Sequence, residues 1–117
     1  MKPRVLLLGA ATLTMAGFAH ADAHLASSVP ADNSVISHAP SQISLNFSAP
    51  IRITALSLQR HGEKEPKRIE VSAEAPANEI DIPVTQLGPG AYTLNWRGIG
   101  GDNHEASGTV RFTISGK

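Results

Sequence analysis

The 117-residue chain contains no cysteine. That excludes disulfide staples, thiolate metal sites and anchoring through a lipidated cysteine, and it leaves the fold to its hydrophobic core. Methionine occurs only as Met1 and Met15. Beyond residue 23 there is no sulfur of any kind, hence no soft ligand for a reduced metal ion. Three phenylalanines, one tyrosine and one tryptophan are the only aromatic residues, too few for a broad substrate-binding face. Neither sign of charge dominates: Lys plus Arg and Asp plus Glu number 10 each, so the basic footprint of a nucleic-acid binder is missing. Only one long apolar run exists, residues 5–19, and it falls short of the roughly 20 residues that span a bilayer.

That run has the form of a secretory signal. Lys2 and Arg4 precede it and small residues follow it, so residues 1–23 are expected to be removed on export. Two small-x-small sites compete for the peptidase. Cleavage after Ala19-His20-Ala21 leaves Asp22 first, and the resulting Asp-Ala-His start can wrap a copper or nickel ion with the amine, two backbone amides and the His24 imidazole. Cleavage after Ala21-Asp22-Ala23 leaves His24 first, where amine and imidazole together fill only part of a coordination shell. With residues 1–23 gone, 94 residues remain as one domain, 24–117, enough for a single core. The loss of Lys2, Arg4 and Asp22 leaves eight basic and nine acidic side chains, a net charge of about −1 with neutral histidines. The mature chain carries no membrane span and is expected to be exported and soluble.

Within 24–117 the dominant period is two, which predicts strands. Apolar residues alternate at Ile43, Leu45 and Phe47; at Leu56 and Leu58; at Ile69 and Val71; at Ile80, Ile82 and Val84; at Tyr92, Leu94 and Trp96; and at Val110, Phe112 and Ile114. With an opening strand near 24–29 this makes seven short strands, an all-β, seven-stranded immunoglobulin-like Greek-key β-sandwich or barrel. Leu87-Gly88-Pro89-Gly90-Ala91-Tyr92 fits the corner of such folds, in which a tyrosine hydroxyl bonds back to nearby backbone. The glycine-rich stretch from Arg97 to Ser107 is then the loop between the last two strands.

Strand direction sorts the histidines. If successive strands alternate, the first strand begins at the end of the sandwich that carries this last loop. His24, Asp102 and His104 share that end, whereas His38 and His61 fall at the other. Asp102 and His104 are two residues apart and leave extended backbone on one side. Nitrogen and oxygen donors of this kind in a tetragonal shell suit Cu(II), with Zn(II) as the chief competitor. Three function classes follow: a Cu(II)-binding protein, an oxidative copper enzyme with a terminal-histidine site, and a metal-free immunoglobulin-like interaction module. No nucleophile–base set argues for hydrolytic catalysis. Trp96 is expected to serve the core.

The run His24-Leu25-Ala26-Ser27-Ser28-Val29-Pro30-Ala31-Asp32, with Leu45-Asn46-Phe47-Ser48, Gly90-Ala91-Tyr92-Thr93-Leu94-Asn95-Trp96-Arg97, Asp102-Asn103-His104, Gly108 and Phe112, resembles the CopC family of periplasmic copper-resistance proteins. The resemblance covers essentially all of 24–117. It implies a non-enzymatic protein that binds copper as Cu(II) through the terminal amine and imidazole of His24 with Asp102 and His104, and a membrane copper importer as its associate. Two departures stand out. The methionine-rich segment that holds Cu(I) in some members is missing, and Ala49 stands where many members carry an acidic residue, leaving Asp32 and Glu105 as candidate substitutes.

Overall fold

The backbone alternation that starts at Ile43 does not stop at Phe47. The computed structural model, which describes residues 23–71 and 75–116, shows one strand of 19 residues, Gln42–Arg60, where two separate strands at 43–47 and 56–58 are expected from the sequence. Ile51 and Ile53 keep the phase of Ile43, Leu45 and Phe47, so the inward face is continuous. The phase then slips by one, to Leu56 and Leu58, with Thr54 and Ala55 both exposed. A β-bulge against the neighbouring strand lies at this slip, between Ile53 and Ala55. A bulge inserts one residue and bends its strand, which lets this strand carry on where a loop is otherwise needed. The signal-peptide reading of residues 1–23 falls almost wholly outside the described residues.

The elements are β1 (Leu25–Val29), β2 (Ser34–Ile36), β3 (Gln42–Arg60), β4 (Lys67–Ile69), β5 (Ala77–Pro83), β6 (Gly90–Gly100) and β7 (Glu105–Ile114). The number of strands is seven as expected, but its make-up differs: β3 merges two strands and β2 is an addition. The first half of β3 pairs with β1 and β5, and its second half with β4 and β6. β6 pairs with β7 along its whole length, and β2 adds to β7 in parallel. The result is an all-β immunoglobulin-like sandwich whose curled sheet folds over at β3.

Inward positions fill the space between the two halves: Ile43, Leu45 and Phe47 from β3, Ile82 from β5, Leu94 and Trp96 from β6, and Val110, Phe112 and Ile114 from β7. Phe47 meets Trp96 edge to face at 4.9 Å between ring centroids, a favoured aromatic geometry. Tyr92 stacks on Phe112 at 5.4 Å, and its hydroxyl donates to the Gly88 carbonyl at 2.8 Å, the corner that the sequence predicts. Trp96 is 5% exposed and lies over Gly108, its cross-strand partner. A Cβ at Gly108 would stand 2.7 Å from the indole.

Two substitutions test this packing. Tyr92→Phe removes the corner bond and should lower stability by about 1 kcal/mol, seen as a lower urea midpoint with an unchanged slope. Gly108→Ala forces the indole aside and should cost about 1–3 kcal/mol, with a changed near-ultraviolet signal from Trp96.

Candidate metal centre

The chain reaches His24 one residue before β1. Pairing of Leu25 with Phe47 sets the next position, so that His24 stands opposite Ser48, whose N–H donates to the His24 carbonyl at 2.8 Å. The His24 side chain also turns to Ser48. His24 N donates to Ser48 Oγ at 3.0 Å, and the same oxygen lies 3.1 Å from His24 Nδ1. In the described chain Ala23 precedes His24, so this N is a peptide nitrogen.

Asp102 and His104 sit on the turn between β6 and β7. These strands run on to Gly100 and from Glu105, so the loop is much shorter than the Arg97–Ser107 stretch expected from its glycines. Gly98 is a strand residue that lets β3 approach: a Cβ there would meet the Arg52 carbonyl at 2.8 Å. The turn is closed by Asn103 N–H to the Gly100 carbonyl at 2.9 Å and Gly100 N–H to the His104 carbonyl at 3.0 Å. Asn103 takes a φ of 69°, the left-handed position of a three-residue hairpin loop, which Asn tolerates. Asp102 Oδ1 accepts from the His104 N–H at 3.2 Å, and Oδ2 lies 2.9 Å from His104 Nδ1.

These two hydrogen bonds to one neighbour set the electrostatics. The Asp102 carboxyl is held below its ordinary value of 3.8, chiefly by the side-chain bond to His104 and then by the backbone N–H of His104. With Nδ1 on Asp102, the second ring nitrogen of His104 is Nε2. A carboxylate on one imidazole nitrogen that orients the other is the arrangement found behind metal-binding histidines. His104 itself is 77% exposed on its side chain.

Gly100 joins the two parts. A Cβ built on it would lie 3.3 Å from Asp102 Oδ1 and 3.7 Å from the Cβ of Ala23, so the residue next to His24 and the Asp102 carboxylate pack at one spot. Gly100 pairs with Ile51, three residues along β3 from Ser48. His24 and the Asp102–His104 pair are therefore brought to one end of the sandwich, although among the described residues no three His, Asp or Glu side chains are yet drawn into a single cluster. Asp102 and His104 touch; His24 touches Ser48.

The other candidates lie elsewhere. His38 follows β2, whose Ile36 pairs with Ile114 beside Gly90. His61 follows β3 and its N–H bonds to the Ala91 carbonyl at 2.7 Å. Both mark the Gly90 end of β6, about 30 Å from the Gly100 end at strand rise. Asp32 caps the β7 edge by accepting from the Arg111 N–H at 2.8 Å, far along β7 from His104. Glu105 is exposed and adjoins the turn as the first residue of β7. Sequence reasoning missed Ser48 as a neighbour of His24; only the β1–β3 register reveals it.

The comparisons with known proteins point one way. A model described as the CopC domain matches residues 25–115. A protein of Escherichia coli named "Copper resistance protein C" is 30% identical over 121 residues, covering 95% of each chain. A namesake from Pseudomonas syringae pv. tomato is 29% identical over 116 residues, covering 92% of this chain and 91% of the relative. Among solved structures, CopC from Methylosinus trichosporium OB3b superposes with a TM-score of 0.67 at 19% identity, over 81% of this chain and 95% of that one, and so shares the fold. PcoC of Escherichia coli, described as a methionine-rich copper resistance protein, gives a TM-score of 0.59 at 28% identity over 81% of this chain and 100% of its own.

The Asp102–His104 bond carries a testable titration. Asp102 should lose its charge only below 3.8, and in His104→Ala its titration should rise towards 3.8 because the largest cause of the lowering is gone. The sign follows: stability tied to the ionised carboxylate is present above its unfolded value and is lost as pH falls through the lowered one. Carbon-detected NMR of the metal-free protein reads both.

Proposed function

The chain belongs to the CopC family, and from that premise we propose that it is an exported periplasmic protein that binds one Cu(II) with His24, Asp102 and His104. Membership makes its function copper-related, and sets it among copper-resistance proteins rather than enzymes. In the proposed mature form, cleavage after Ala23 turns the His24 peptide nitrogen into an amine, and amine and Nδ1 form one chelate ring. His104 Nε2 supplies a second imidazole, and Asp102 serves as oxygen donor and as the group that orients His104. The observation that supports this ligand set is that, in the uncleaved chain, Ala23 and Asp102 both lie against one glycine, Gly100, which brings the start of β1 at His24 beside the Asp102–His104 turn.

The donor chemistry favours the cupric ion. Nitrogen and carboxylate donors suit Cu(II), which also tops the divalent affinity order, and copper so bound stays available for exchange from an exposed rim. The mature chain has no methionine, unlike the relative described as methionine-rich, so a sulfur site for Cu(I) is absent from this proposal. Storage for resistance and hand-over to a membrane copper importer are the roles it serves. No helix among the described residues is long and apolar enough to cross a membrane.

Intact mass of the exported protein should match a start at His24; a start at Asp22 sinks the chelate and favours an Asp-Ala-His site. In competition titrations His24→Ala and His104→Ala should each weaken Cu(II) binding more than about 100-fold, and Asp102→Ala by about 10- to 100-fold. His38→Ala and His61→Ala should leave it unchanged. Binding should release protons and weaken as pH falls, since amine and imidazole coordinate only when deprotonated.

A further inference from the structure

We infer that Asn78 is a positioning residue for His24, an inference that rests on the copper reading above. Asn78 Nδ2 donates to the Phe47 carbonyl at 3.3 Å, and the N–H of the same peptide unit, that of Ser48, donates to the His24 carbonyl at 2.8 Å. A peptide unit is planar and trans, so its C=O and N–H point in opposite directions and can only turn together. Holding the carbonyl on the β5 side of β3 therefore aims the N–H at His24 on the β1 side.

The register explains why a side chain is needed. β5 pairs evenly with β3 from Gln42–Pro83 to Asn46–Glu79, and again at Ile51–Ala77. Between those two points β3 has four residues, 47–50, while β5 has only Asn78. One residue cannot continue a ladder against four, and Pro50 has no N–H to offer. The Asn78 amide spans the gap and supplies the donor. On the other edge of β3 the ladder with β1 starts at Leu25, so the Ser48 N–H on the His24 carbonyl is the outermost backbone bond of β1. Chain ends are poorly ordered unless tied down. In a chain that starts at His24, this bond ties the first residue to the sheet.

The tie is compatible with a bound ion. It engages the His24 carbonyl, whereas the chelate ring would close through N and Nδ1, so it holds in the metal-free and the metal-bound protein alike. Its contribution is to the fraction of molecules in which His24 is in place, and apparent affinity falls with that fraction. A residue that served only the β3–β5 junction would lower stability when removed and leave His24 and copper affinity alone.

The experiment uses the mature protein with Asn78→Ala and Asn78→Leu, Leu being close to Asn in size but without the amide. Hydrogen exchange of the Ser48 amide is followed by NMR in the metal-free state, and Cu(II) affinity by competition titration. Ser48 should exchange about twofold to tenfold faster in both variants, the effect of one lost hydrogen bond, and Cu(II) should bind about twofold to fivefold more weakly. Tyr92→Phe weakens the fold at the opposite end of the sandwich and should change neither readout. Wild-type exchange at Ser48, or wild-type Cu(II) affinity, in the Asn78 variants overturns the inference. Equal weakening in Tyr92→Phe overturns it too, because the effect would then be a general loss of stability. Failure of the wild-type protein to bind Cu(II) sinks the copper reading instead, and the Ser48 exchange still decides whether Asn78 holds the peptide.

Discussion

Strand β3 is shared by both halves of the sandwich, and everything that defines the candidate centre hangs from it. Its first half holds β1 and therefore His24, and its second half holds β6 and therefore the Asp102–His104 turn. A loop at residues 48–53 would let these halves shift against each other. A continuous hydrogen-bonded strand with a bulge fixes them, since each ladder position is set by its neighbours. The Phe47–Trp96 contact ties the same region to the core, so the distance between Ser48 and Ile51 along the strand becomes the distance over which the two segments with the candidate residues are held.

The centre itself combines a rigid frame with an exposed rim. Asp102 and His104 are locked by two hydrogen bonds within a tight turn, whereas His24 is held by Ser48 and its own backbone. The frame supplies two preformed pieces rather than a finished cage.

Much of the fold was legible in the residues. Alternation at Ile43–Phe47, Ile80–Val84, Tyr92–Trp96 and Val110–Ile114 marks half-buried strands, and Gly88 and Tyr92 announce the corner that the structure contains. Two features were not. Ser34–Ile36 has no recognisable period over three residues, and it is a strand only because β7 offers it an edge. The glycines at 98 and 100 read as loop, yet they are buried strand positions: what they provide is room for the backbone of β3 and for Ala23, which depends on neighbours distant in sequence.

By itself the sequence determined the chemical inventory: no sulfur beyond residue 23, candidate donors at His24, Asp102 and His104, and a period-two pattern that can only bury its apolar face in a sheet. It even held the bulge, as the slip from Ile53 to Leu56. What only the tertiary structure decided was adjacency. Which residue faces His24 depends on the register between β1 and β3, and a slip of one residue would present a different side chain. Local pattern is blind to register because alternation is preserved under a shift of two. The Ser48 hydroxyl against His24, and Ala23 with Asp102 at Gly100, exist only once the strands have paired.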